Sequence, residues 1–136
     1  MWRASGLTPT SSAGLGTFSS TGEYEAMGNP LSLYYGSSFR ENSTLVNYIF
    51  YNLFKNSTKL KNAKNLKLVA SDVNTYAYSY MFYGCTFLIE PPELPATKLY
   101  SYAYSYMFYG CSSLTYAPSL VATSYSHFNY SYIGYY

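Results

Sequence analysis

The ten residues Tyr76-Ala77-Tyr78-Ser79-Tyr80-Met81-Phe82-Tyr83-Gly84-Cys85 recur without a change as Tyr102 to Cys111, an offset of 26 positions. The match extends beyond the identical block. Leu68, Leu94 and Leu120 keep the offset and are followed by Val-Ala-Ser, Pro-Ala-Thr and Val-Ala-Thr. Leu88 pairs with Leu114, and Pro92 with Pro118. A further, partial copy begins at Leu120 and runs through Phe128, Tyr130, Tyr132 and Ile133. Upstream, Tyr48, Phe50, Leu53, Phe54, Thr58 and Leu60 align with Tyr76, Tyr78, Met81, Phe82, Thr86 and Leu88 at an offset of 28.

A period in the range of about 20–29 residues is that of leucine-rich repeats, each a short strand plus a return segment. One such unit cannot bury its apolar positions alone, so units stack and equivalent residues meet. The expected ladders are Leu68/Leu94/Leu120, Leu88/Leu114, Phe82/Phe108 and Cys85/Cys111. The expected fold is therefore a short right-handed leucine-rich-repeat solenoid of parallel short β-strands with turn or short-helix returns. Within a unit, Leu114-Thr115-Tyr116-Ala117 reads as the strand, ended by Pro118, which cannot donate to a sheet. The return carries two conflicting periods. Leu99, Ala103 and Met107 are spaced as on a helix, whereas Tyr102, Tyr104 and Tyr106 alternate as on a strand. Gly110 is a natural stop, which favours a helical or irregular turn.

Composition narrows the function. The chain has 136 residues, is 49% hydrophobic, 21% aromatic and 10% charged, and carries a formal net charge of +2. High aromatic content with low charge argues against intrinsic disorder. No run reaches the roughly 18 apolar residues of a membrane-spanning helix. The net charge is too small to predict a nucleic-acid partner from bulk electrostatics, and none is expected. The start, Met1-Trp2-Arg3-Ala4-Ser5-Gly6, does not read as a signal peptide. Twenty tyrosines stand out against one tryptophan and eight phenylalanines. Tyrosine joins a flat apolar ring to a polar tip and suits half-buried surfaces that contact something.

The strings Tyr106-Met-Phe-Tyr-Gly-Cys-Ser-Ser-Leu-Thr-Tyr-Ala-Pro-Ser-Leu120 and Met81-Phe-Tyr-Gly-Cys-Thr-Phe-Leu88, the latter followed by Pro92-Glu-Leu-Pro-Ala-Thr97, resemble BspA-type leucine-rich repeats. Proteins of that family are found on bacterial surfaces and in some phage, and their units carry an aromatic-Gly-Cys step, a leucine three residues on, and a Leu-Pro turn. The resemblance covers roughly residues 48–136, about three units with the last incomplete. Phe18 to Gly36 also resembles the segment that often precedes such repeats. The resemblance implies an extracellular, cell-surface or virion-surface adhesion module rather than an enzyme. The upstream unit departs from the pattern, with Asn56-Ser57 in place of Gly-Cys.

Residues 1–47 read differently, as a β-rich cap over the first repeat or as the tail of a preceding domain. Thr8–Gly16 is a loop by composition. Phe18–Ser20 and Tyr24–Met27 could form two strands joined around Thr21-Gly22, closed by Gly28-Asn29-Pro30. At the other end the chain stops partway through a unit without a charged closing segment. An exposed ladder end would be a template for homo-oligomers or for further chain.

Several candidates have a plainer reading beside the sharper one. Cys85 and Cys111 could clip adjacent repeats by a disulfide, or pack as a ladder of small buried thiols. Lys55, Lys59, Lys61, Lys64 and Lys67 could hold an anionic polymer, or be a solvated edge that discourages sheet-to-sheet sticking. Tyr76/Tyr102, Tyr78/Tyr104 and Tyr80/Tyr106 must form rows if units stack. Such rows could present a paratope-like surface, stack on sugars, or chiefly pack on one another. Tyr83, Tyr109 and Tyr116 are the expected solvent-facing contacts for a protein or glycan ligand. His127 has no nucleophile or carboxylate near it in sequence. Glu90 and Glu93 have no equivalents in the next unit, which argues against a calcium ladder. The sequons at Asn42, Asn56 and Asn129 are incidental unless the chain meets a glycosylating pathway. No catalytic, cofactor-binding or metal-ligating set is expected. Non-enzymatic recognition is the leading function, with a self-assembling filament or virion component as the alternative.

Overall fold

The computed structural model describes residues 14–41 and 43–125, with only the backbone described at Tyr125. His127, the copy from Phe128 onward, the expected exposed end, and the sequons at Asn42 and Asn129 lie outside the described residues. The regular elements are short: β1 (Tyr24–Gly28), α1 (Ser32–Tyr35), a 3-10 turn (Gly36–Glu41), β2 (Leu60–Leu66), β3 (Asp72–Val73), β4 (Lys98–Leu99) and β5 (Ser124–Tyr125). β1 and β2 pair in parallel, and β3, β4 and β5 form a second parallel sheet in that order. Among the described residues there is no closed barrel.

Most of the chain's order lies outside these strands, in three runs at 47–57, 75–85 and 101–111. Each is a train of tight turns with a strict two-residue rule. Odd-numbered residues close a turn on their own run: the N–H of Ala77, Ser79, Met81, Tyr83 and Cys85 donates to the carbonyl three residues back, at 3.0–3.2 Å. Even-numbered residues donate sideways to the next run. Tyr76 N–H reaches Ser101 C=O (3.1 Å), Tyr78 reaches Ala103 (3.0 Å), Tyr80 reaches Ser105 (2.9 Å), Phe82 reaches Met107 (2.9 Å) and Gly84 reaches Tyr109 (2.8 Å). The first run repeats this against the second, from Tyr48 N–H on Thr75 C=O to Asn56 N–H on Tyr83 C=O. Backbone groups that helix or strand would satisfy are thus paired by another route.

Every fourth residue of a run bends into the left-handed region: Tyr48, Asn52, Asn56; Tyr76, Tyr80, Gly84; Tyr102, Tyr106, Gly110. For a tyrosine that conformation costs about 1–2 kcal/mol. At Tyr48, Tyr76 and Tyr80 a lateral hydrogen bond and a stacked ring offset it, and at Tyr102 and Tyr106 a stacked ring does. Asn56-Ser57 occupies the slot held by Gly84-Cys85 in the next run. Asparagine tolerates the positive φ of 58° that glycine takes at 71°.

The core is one cluster running through all three runs. Phe54, Phe82 and Phe108 are fully buried and stack at 5.4 Å per step with planes within 10°. Phe50, Tyr78 and Tyr104 form a second buried column, at 5.7 and 5.8 Å. Leu60, Ala63 and Leu66 of β2 all point inward, although alternation would turn Ala63 outward. Register shifts in the β1–β2 pairing reset the alternation twice.

Two local expectations are corrected. Leu114–Ala117 is not a strand: there a single amide, Thr115 N–H on Ile89 C=O (3.0 Å), links neighbouring units. The strand of this unit is Lys98–Leu99, whose neighbours in the ladder are Asp72–Val73 and Ser124–Tyr125. Phe18–Ser20 and Tyr24–Met27 do not form a hairpin. Only Tyr24–Gly28 is extended, and it pairs in parallel with a strand more than thirty residues away, while Phe18 N–H donates to Leu53 C=O (2.7 Å). Of the two readings of the return segment, helical or irregular turn, the structure has the irregular turn, the train described above. The 14–41 segment therefore meets the first run through Phe18, whose N–H reaches Leu53 and whose ring meets Phe54, and pairs in parallel with β2 just after that run.

Candidate functional site

The turn trains set a tyrosine-rich face. Because alternate even residues point outward and inward, Tyr76 and Tyr80 emerge while Tyr78 and Phe82 enter the core. The lateral bonds then bring like residues together. Tyr48, Tyr76 and Tyr102 stack at 4.9 and 4.7 Å, Tyr80 and Tyr106 at 5.1 Å, and Tyr83 and Tyr109 at 5.2 Å. Tyr51 leans edgewise on Tyr48 and Tyr76. Tyr109 is the most open of these rings at 44% exposure; the others are half-buried.

Lys55 takes the slot that tyrosine fills in the later runs, at the offsets 28 and 26 of Tyr83 and Tyr109. Its ammonium lies 5.2 Å from the centroids of both Tyr80 and Tyr83. The cation thus closes one end of the Tyr83/Tyr109 column by attraction to ring faces. Reading Lys55 only as part of a basic run misses this role, although the upstream alignment placed it opposite Tyr83. The other lysines are dispersed: Lys61 reaches Glu23 at 3.8 Å and Lys64 reaches Glu90 at 3.5 Å.

Partial burial pushes the phenols of Tyr51, Tyr76 and Tyr80 upward, and neighbouring tyrosines add to the shift. These hydroxyls therefore stay protonated at neutral pH and can both donate and accept. The stacking has a geometric consequence. A ring between two others has both faces covered, so solvent meets mainly edges and hydroxyls.

The three expected contact residues are not one site. Tyr83 and Tyr109 share the stacked face, but Tyr116, 51% exposed, stands elsewhere. It borders a groove of about 420 Å³ lined by Pro91, Pro92, Pro95 and Pro118 with Glu93. The ladder residues are placed as follows. Leu68, Leu94, Leu88, Phe82, Phe108, Cys85 and Cys111 are buried, Leu114 is partly buried against the core, and Leu120 is 37% exposed. Leu94 and Leu120 face one another across a parallel bridge.

Cys85 and Cys111 are free thiols, and no disulfide joins them. Each donates to a carbonyl of the preceding run, Cys85 to Phe54 and Cys111 to Phe82, both at 3.0 Å. Burial pushes the Cys111 thiol up to about 12 and Cys85 still higher, with the neighbouring Cys111 adding to the latter shift. Neither is a nucleophile at neutral pH. Among the described residues no group of three His, Cys, Asp or Glu gathers in a way that could hold a metal. Nor is any described helix long and apolar enough to cross a membrane.

No protein-family model, curated protein or solved structure matches the chain.

Proposed function

We propose that the chain is a segment of a leucine-rich-repeat solenoid of BspA type, displayed on a cell or virion surface, that recognises a protein partner without catalysing a reaction. The resemblance of 81–97 and 106–120 and the lateral pairing at the repeat offset support the architecture. The observation that carries the function is the stacked tyrosine face around Tyr76, Tyr80, Tyr83, Tyr102, Tyr106 and Tyr109. Its rings are already held by their neighbours, so binding freezes few side-chain rotors, the advantage that tyrosine gives to paratopes. A sugar ring stacks on an open aromatic face, and here those faces are largely taken. Edges and hydroxyls remain, which suits the mixed polar and apolar surface of a protein.

The test is adherence of the labelled chain to host cells pretreated with either protease or glycosidase. Protease should abolish saturable binding, glycosidase should spare it, and the double variant Tyr83→Ala/Tyr109→Ala should weaken it at least tenfold. Glycosidase-sensitive binding would overturn the choice of protein over glycan. Binding indifferent to the double variant would remove the face from the account.

Assembly of copies is the second reading. One observation favours it: among the described residues β1 is paired on one side only. An open strand edge invites pairing with another chain. Growth of mass with concentration in sedimentation, blocked by Glu25→Pro, an exposed position whose N–H faces away from β2, would favour it over adhesion.

A further inference from the structure

A cleft of about 420 Å³ opens on the opposite flank of the first run, between the segment that follows β1 and the residues of runs and strands beneath it. That size falls within the range of roughly 300–1,000 Å³ of small-molecule sites. Its floor is apolar: Leu33, Leu53, Phe54 and Leu66 line it. Met27, 59% exposed, also borders it and supplies a flexible apolar wall. Among the described residues the one charged group in the lining is Arg40, whose guanidinium rests 5.0 Å from the Phe39 ring centroid.

The charge pattern selects the ligand. No aspartate or glutamate lines the cleft, and Arg40 forms no ion pair among the described residues, whereas Lys61 and Lys64 each have a carboxylate. The guanidinium fork offers paired donors suited to a carboxylate. An apolar floor with a lone, ring-supported cation at its border complements a molecule that is apolar along its length and anionic at one end.

We propose that this cleft is a binding site for a small amphiphile, an alkyl carboxylate, with the tail against Leu53, Phe54 and Leu66 and the head at Arg40. The site is separate from the tyrosine face and stands or falls independently of the adhesion reading.

The experiment is titration calorimetry of the full chain with decanoate, octanoate and decyltrimethylammonium, each below its micellar concentration, with the Met27 methyl followed by NMR. Decanoate should bind with one-to-one stoichiometry and shift the Met27 methyl. Octanoate should be weaker by roughly fifteenfold, since each buried methylene adds about fourfold. The cationic analogue should be at least fivefold weaker than decanoate. Arg40→Glu, at an exposed position, should reverse that order, and Ser37→Trp should occlude the cleft and weaken decanoate more than tenfold. Absence of saturable binding would overturn the proposal. So would equal affinity for the anion and the cation, or decanoate binding that both variants leave unchanged.

Discussion

Gly84 gives the sharpest local test of how neighbouring runs fit. A Cβ built there lies 2.2 Å from Asn56 Oδ1 and 3.3 Å from its Cγ, because the two residues hold equivalent slots one layer apart. At Gly110 a Cβ would meet only the Gly84 backbone, at 3.5 and 3.6 Å, an ordinary contact. Both glycines have positive φ, 71° and 78°. Alanine at either site should therefore lose about 1–2 kcal/mol to backbone strain. Gly84→Ala must in addition drive the Asn56 side chain from its place, adding roughly 0.5–1.5 kcal/mol for an off-rotamer or displaced group. Expected totals are about 1.5–3.5 kcal/mol for Gly84→Ala and about 1–2 kcal/mol for Gly110→Ala. Urea unfolding of both variants, alone and with Asn56→Gly, measures the difference. In the Asn56→Gly background, Gly84→Ala should fall to the level of Gly110→Ala. If Gly110→Ala is the more damaging, or Asn56→Gly brings no relief, the two layers do not meet as described.

Phe82→Ala removes the middle ring of a buried column and should cost about 3–5 kcal/mol in the same assay, whereas Tyr109→Ala, on the open face, should cost under about 1 kcal/mol. Lys55→Gln should lose about 0.5–1 kcal/mol as the ammonium leaves the Tyr80 and Tyr83 rings; no change would show that contact to be idle. Stability should also fall with alkali. Cys85, Cys111, Tyr78 and Tyr104 are all pushed up by burial, while unfolded thiols and phenols ionise from about 8.5 and 10. The folded state then holds protons that the unfolded chain releases, so this stability is complete below about pH 8 and is lost as pH rises toward 12. Denaturation midpoints that do not decline over that window would contradict the burial of these groups. Native Cys85 and Cys111 should resist alkylation by iodoacetamide at pH 7 until urea unfolds the chain; rapid labelling without urea would contradict it.

The repeat offset made part of this structure legible. It names the partners that meet, Phe82 with Phe108 and Tyr76 with Tyr102, because identical side chains at a fixed period can only be reconciled by placing one layer on another. What it could not supply was the local conformation. Tyr102, Tyr104 and Tyr106 alternate because the carbonyls between them, those of Ala103 and Ser105, turn sideways to accept from the neighbouring run, and Ala103 and Met107 are spaced by four because every fourth residue bends left-handed. Both periods are real, yet a choice between helix and strand admits neither. Leu114–Ala117 had the better strand residues than Lys98–Leu99, but Pro118 and a single lateral amide leave it irregular. The partner of Tyr24–Gly28 lies too far along the chain for a local pattern to reveal. Of the candidate site, the pairing of Tyr83 with Tyr109 followed from the offset. The separation of Tyr116 and the cleft at Arg40 depend on loops that carry no period.

The pairing of layers is tested most directly by nuclear Overhauser contacts among assigned aromatic rings. The Phe54, Phe82 and Phe108 rings, 5.4 Å apart at each step, should give cross-peaks between adjacent members, as should Tyr76 with Tyr102 at 4.7 Å. Absence of any Phe82–Phe108 cross-peak in a folded sample, with both rings assigned, would contradict the account.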